Sequence, residues 1–201
     1  MSLSALPRQD LLEKASDVII YDSTGKAVKF GDLFKERETI VVFIRHFFCG
    51  TCQLYVSQLA TVKPESLEQA GKDLVIIGCG DFQPIKAYCE TTGYKGKIYA
   101  DPSRELHRLF ELTESLERTP EGQQKRAYVA NRSYLGGAFS SILQGPLKHL
   151  QHIGKQGNIS QLGGEFILGP GNQCSYASRM QHTEDHVDVA DLMREAGVQY
   201  P

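Results

Sequence analysis

The stretch from Thr39 to Cys52 restricts the fold more than any other part of the chain. TIVVFI, residues 39–44, is continuously apolar and β-branched, the pattern of a strand buried on both faces of a parallel or mixed sheet. It is followed by Cys49-Gly50-Thr51-Cys52 and then by a helical pattern in which Cys52, Tyr55 or Val56, Leu59 and Val62 recur at three- and four-residue steps. A buried strand that feeds such a helix places two thiols at a strand-to-helix junction, and TIVVFI is expected to be the central strand.

The rest of the chain repeats this alternation. Asp17 to Tyr21 and Ala27 to Phe30 read as a small hairpin around Ser23-Thr24-Gly25, followed by a one-turn element near Leu33 and Phe34. Pro64 interrupts or restarts the cysteine-bearing helix, Gly71 ends it, and DLVIIGC (73–79) is a second buried strand, giving a βαβ unit. Pro84 to Glu90 is a helix and Lys97 to Ala100 a strand. Pro102 is placed in the first turn of a helix carrying Leu106, Leu109 and Phe110, with Asp101 as its cap. From Glu111 to Gln156 the rhythm is lost, and this stretch is expected to be a helical insertion or lid within a single domain spanning 1–201. Strands return at Glu165 to Leu168 and Gln173 to Ala177, and a helix from Val187 to Ala196 ends at Gly197.

Composition excludes several classes of function. The 22 Lys and Arg against 24 Asp and Glu leave a net charge of -2, which gives no field to attract nucleic acid. No apolar run approaches the roughly 18 residues of a membrane helix. The opening MSLSALPRQDLLEKASD lacks the charged-then-apolar order of a secretory signal, and five cysteines are too few and too uneven for a secreted disulfide framework. The expected compartment is therefore reducing, with a cytoplasmic location.

Cys49 and Cys52 carry the chemistry. A thiol at a helix N-terminus faces unpaired backbone N–H groups and the positive end of the helix, which favour the thiolate, and a second thiol two residues further on can resolve the first once it is oxidised. Arg45 and His46 add positive charge if they point toward the pair. Zinc is set aside because Cys79, Cys89 and Cys174 form no second CxxC and His46 lies too close in sequence, so no metal and no cofactor are expected. Cys79 and Cys89 read as packing residues, and Cys174 sits in a surface hairpin, paired between chains or inert. His107, His149 and His152 read as packing or surface residues without a carboxylate partner. Asp81 reads equally as a helix cap or a ligand group.

Three segments together carry a family resemblance: FIRHFFCGTCQLYVSQL; then DLVIIGCGDFQPIKAYCETTGYKGKIYADPSRELHRLF; then GGEFILGPGNQCSYASRMQHTEDHVDVADLM. From about Val18 to Ala196 the chain resembles AhpC/TSA-type peroxiredoxin-like proteins of the thioredoxin-like superfamily, close to the peroxiredoxin-like 2 group with its AAED and prostamide synthase relatives. The resemblance implies an α/β thioredoxin-like fold: a central mixed sheet flanked by helices, with an N-terminal hairpin and the helical insertion. It also implies a thiol-dependent antioxidant oxidoreductase that reduces a small hydroperoxide or lipid peroxide through Cys49 and Cys52, with thioredoxin or glutathione as the external reductant and a homodimer as the assembly.

Alternative readings are a thiol-disulfide oxidoreductase, a lipid-endoperoxide reductase, or a non-catalytic redox-sensing or interaction protein on the same scaffold. A peroxiredoxin-style alignment of the loop makes Cys52 the attacking residue, and a thioredoxin-style alignment makes it Cys49. The second is preferred because a residue just ahead of the helix is more exposed. Thioredoxins carry a cis-proline, and peroxiredoxins an arginine, near the position of Leu162-Gly163-Gly164-Glu165-Phe166, which supplies neither. Substrate stabilisation then falls to Arg45, or more weakly to Arg179. The two glycines either leave room for a substrate or ease a turn.

Overall fold

The computed structural model of the chain describes residues 3–130 and 152–201. Helix α1 (Gln9–Ser16) precedes the hairpin of β1 (Ile19–Tyr21) and β2 (Ala27–Lys29), whose turn is closed by Asp22 Oδ1 accepting the Thr24 N–H at 2.8 Å. A 3-10 turn (Phe30–Leu33) leads into β3 (Glu38–Phe43), which holds the TIVVFI run up to Phe43, with Ile44 just beyond its end. Then follow α2 (Gly50–Leu59), α3 (Pro64–Gln69), β4 (Lys72–Gly78), α4 (Ile85–Thr92), β5 (Lys97–Ala100), α5 (Glu105–Leu109) and α6 (Ala127–Ala130). The chain closes with β6 (Gly164–Gly169), β7 (Gln173–Arg179) and α7 (Val189–Glu195).

The seven strands form one mixed sheet in the order β2-β1-β5-β4-β3-β6-β7. Strands β3, β4 and β5 run parallel, and β6 pairs antiparallel with both β3 and β7. The middle position belongs to β4; β3 lies beside it, between β4 and β6. Because side chains alternate along a strand, β3 splits its apolar residues between two faces. Ile40, Val42 and Ile44 pack under α2, α4 and α7, while Val41 and Phe43 join Phe30, Phe34, Phe110 and Phe166 on the opposite face. Burial on both faces explains why the run has no polar alternation.

Three local expectations need correction. Helix α1 has no counterpart in the sequence reading, since it buries only Leu12 and Ala15, too few positions for a periodic signal. Pro102 lies ahead of α5 and outside its first turn. The chain turns at Arg104 (φ 57°) before the helix begins, and the Asp101 carboxylate reaches forward to accept the N–H groups of Glu105 and Leu106 at 3.2 and 3.0 Å. His107 does have a carboxylate partner: its Nδ1 is 3.0 Å from Asp101 Oδ2, with both side chains fully buried. Of the expected 111–156 insertion, residues 131–151, including His149, lie outside the described residues.

Candidate active site at the head of helix α2

The parallel strand β3 delivers the chain to the end of the sheet where α2 begins, and Cys49 occupies the N-cap position of that helix. Its thiol therefore meets the positive end of a ten-residue helix. Cys52, in the first turn, turns inward and is completely buried, whereas Cys49 lines a cavity of about 500 Å³. Both are free thiols.

Arg45 is drawn into this site by its position just beyond β3. Its Nη1 donates to Cys49 Sγ at 3.1 Å, while Nε and Nη2 donate to the backbone carbonyls of Gln161 and Ile159 at 3.2 and 2.6 Å. Three donors are thus committed, which fixes the plane of the guanidinium and aims one N–H at the sulfur. The Thr51 hydroxyl stands 3.1 Å from the same sulfur and 3.0 Å from the Thr183 carbonyl oxygen, so its single proton serves one acceptor at a time. A hydrogen bond from the Cys52 thiol, together with the charges of Arg45 and His46 and the Thr51 hydroxyl, holds the Cys49 thiol well below the ordinary thiol range despite its burial. Burial, reinforced by the neighbouring Cys49, pushes the Cys52 thiol well above that range. The pair is polarised, with the more acidic thiol at the cavity and the less acidic one behind it.

Behind Cys52 lies a group the sequence reading did not single out. His186 Nε2 is 3.4 Å from Cys52 Sγ, and His186 Nδ1 is 2.5 Å from Glu165 Oε1. Both side chains are fully buried. The imidazole stacks on Tyr55 with ring centroids 4.3 Å apart. A signal for Glu165 exists in the sequence. It is the only acid in GEFIL, and alternation from Ile167 puts it on the face that carries α2. His186 belongs to a loop, where periodicity says nothing.

The other sequence candidates separate by position. His46 lines the same cavity, and burial lowers its pKa. Arg179 does not reach the site. It donates to the carbonyls of Phe110 and Ala5 at 2.7 Å each and lies over the Phe166 ring, on the opposite face of the sheet. Gly163 leaves no room for a substrate, because a Cβ there would stand 2.0 Å from the Phe43 carbonyl oxygen; glycine is needed for close backbone approach. Burial pushes Cys79 and Cys174 up to about 11, and their thiols donate to the carbonyls of Arg45 and Tyr176. Cys89 is half-buried against the α2 core. Asp81 Oδ1 accepts the Gln83 N–H at 3.1 Å, a turn-closing role. Leu116 and Arg118, both within 111–156, line the cavity together with Cys49.

A CxxC pair at the head of a helix, set against a mixed sheet of this order, defines a thioredoxin-like thiol protein. Comparison with known sequences makes the assignment narrower. The chain belongs to the AhpC/TSA antioxidant enzyme family, whose pattern matches residues 58–182, beginning just beyond the Cys49–Cys52 pair. It is 33% identical over 195 residues to the Bos taurus protein named peroxiredoxin-like 2C, covering 96% of this chain and 82% of that one. It is 29% identical over 180 residues to the thioredoxin-like protein AAED1, chloroplastic, of Arabidopsis thaliana, covering 88% and 69% of the two chains. The fold matches a cysteine-to-serine variant of Xanthomonas campestris peroxiredoxin Q with a TM-score of 0.60 at 12% identity, covering 98% of this chain and 96% of that one. Among the described residues, no helix is long and apolar enough to cross a membrane.

Proposed function

We propose that the chain is a thiol-dependent peroxidase in which Cys49 attacks and Cys52 resolves. The observation that carries this reading is the contact of Arg45 Nη1 with Cys49 Sγ at the wall of a cavity from which Cys52 is excluded. A thiolate held by a fixed cation, open to a small molecule on one side and backed by a buried thiol on the other, suits attack on a peroxide bond followed by internal disulfide closure. Family membership supports a thiol-dependent redox role.

In the proposed cycle, the Cys49 thiolate attacks one oxygen of a hydroperoxide. The O–O bond breaks, Cys49 becomes a sulfenic acid, and the departing alkoxide takes a proton to leave as an alcohol. The sulfur of Cys52 then displaces hydroxide from Cys49, giving the Cys49–Cys52 disulfide and water. An external dithiol reduces that disulfide and is itself oxidised. Leu116 and Phe48 offer the peroxide an apolar wall, and Arg118 a cationic one, so substrate choice falls to the described part of 111–156.

The test is sulfenate trapping with dimedone after a brief hydroperoxide pulse, analysed by peptide mass. In the Cys52→Ser variant the label is expected on Cys49. A label on Cys52 in the Cys49→Ser variant, with none on Cys49, reverses the roles. No label on either, with turnover of protein disulfides intact, replaces the peroxide with a disulfide as acceptor.

A further inference from the structure

A buried carboxylate and imidazole lie behind Cys52. Glu165 Oε2 is buried with no hydrogen-bond partner among the described residues, so the carboxylate is only half satisfied. Such a group is costly in a core and is easily replaced by an apolar one. Among the described residues, its hydrogen-bond partner is the Nδ1 of His186, at 2.5 Å. With the Glu165 carboxylate accepting, Nδ1 donates and Nε2 faces Cys52 as an acceptor, to which the Cys52 thiol proton turns once Cys49 is oxidised and is no longer the thiolate it bonds. The ring is held in place: Tyr55 stacks on it, Tyr128 meets it edge-on, and the backbone N–H of His186 donates to the Tyr128 hydroxyl at 3.1 Å.

We infer that His186 and Glu165 form a proton relay for Cys52, in which His186 Nε2 accepts the Cys52 thiol proton as the disulfide closes and returns it when the disulfide is reduced. The inference rests on Cys49 attacking and Cys52 resolving. When the Cys52 S–H bond breaks, its electron pair stays on sulfur and forms the new bond to Cys49, whose leaving group departs with the old bond's pair. The proton resides on His186 as imidazolium, beside the Glu165 carboxylate. In the reductive half, an external dithiol attacks Cys49, Cys52 leaves as thiolate, and His186 returns the proton to it. His186 touches a reacting sulfur and is catalytic in this sense; Glu165 acts through it and is a positioning residue. Among the described residues, Tyr55 and Cys52 from α2 and Tyr128 from α6 face the ring, and Tyr176 of β7 and Asp188 at the N-cap of α7 lie within electrostatic reach of Tyr55. Tyr55 and Tyr128 stay neutral, since burial raises both phenols.

A peroxide-independent experiment isolates the step. Dithionitrobenzoate added to the reduced protein releases one coloured thiolate when Cys49 attacks, and a second when Cys52 displaces the label from Cys49. In stopped flow, the first phase depends on reagent concentration and the second does not. For His186→Gln the second phase is expected to slow on the order of a hundredfold at neutral pH, and to recover as pH rises enough to ionise Cys52 without a base. Glu165→Gln should slow it about tenfold. The first phase is the internal control.

An unchanged second phase in either folded variant overturns the relay. Should both variants fail to fold, the wild-type profile decides. With a relay the second phase depends only weakly on pH across the range below that at which the Cys52 thiol itself ionises, because the proton passes to a base and not to solvent. A continuous rise of about tenfold per pH unit through that range marks an unassisted thiol and overturns the inference. A wild-type protein with no second phase removes Cys52 as resolver, and the relay with it. A sulfenate-negative protein that keeps both phases loses the peroxidase reading but retains the relay.

Discussion

At Cys49, the thiolate is stabilised by directed donors more than by exposure, because the residue is 4% exposed. The sign of the pH dependence follows. A thiol pKa held below its ordinary value keeps the thiolate form to lower pH than an ordinary thiol, and reactivity is lost as pH falls through the depressed value. Iodoacetamide labelling of Cys49 should therefore fall less steeply from pH 9 to 7 than that of an ordinary thiol near 8.5, which loses most of its rate there. Cys52→Ala, which removes the largest stabilising hydrogen bond, should move the profile to higher pH, and Cys52→Ser, which keeps a donor, should move it less. Arg45→Ala removes a charge-assisted bond of about 1.5–3 kcal/mol, so attack by Cys49 should slow roughly ten- to a hundredfold. Lysine should not restore it, because Arg45 must also reach the carbonyls of Gln161 and Ile159. The pair and the arginine were legible from their spacing around the strand end. Glu165 and His186 were not read, because their proximity to Cys52 depends on strand β6 and a loop more than a hundred residues away.

At the scale of elements, strand β6 joins the two halves of the site. Its approach to β3 is closed by Gly163, so Gly163→Ala should push the strands apart and cost about 1–3 kcal/mol, read as a lowered thermal midpoint. Since Gln161 O and Glu165 flank this residue, the same variant should slow Cys49 labelling; normal labelling in a destabilised protein would separate the site from the strand. Arg179 makes the opposite case. It ties β7 to the turn after α5 and to the chain ahead of α1. Arg179→Met should lower stability by about 2–3 kcal/mol while leaving the Cys49 labelling profile unchanged. Elements with strong local patterns, β3, β4, β5 and α2, could be read from the sequence because burial on both faces or one helical face writes itself into composition. Helix α1 and the placement of Pro102 could not. The first is held by two buried residues, and the second is decided by the left-handed turn at Arg104 and the Asp101 carboxylate.

For the molecule as a whole, one sheet with two unlike faces assigns separate tasks. The phenylalanine-rich face binds α1 and α5 and is structural, while the face under α2, α4 and α7 carries the thiols, the arginine end of β3 and the buried Glu165–His186 pair. Leu116 and Arg118, from the stretch whose periodicity fails in the sequence, line the same cavity as Cys49. The sheet class was accessible because alternation of strand and helix is a property of the whole chain. The convergence of residues 45–52, 116–118, 161–165 and 183–186 was not, because contacts between distant segments leave no periodic trace. The central claim is that Cys49 and Cys52 together turn over a hydroperoxide. The most direct measurement is consumption of a small hydroperoxide in the presence of a dithiol reductant by the wild-type protein and by the Cys49→Ser and Cys52→Ser variants. The account predicts sustained turnover in the wild type, none above the uncatalysed background for Cys49→Ser, and an early sulfenate with slowed turnover for Cys52→Ser; equal slow consumption in all three would contradict it.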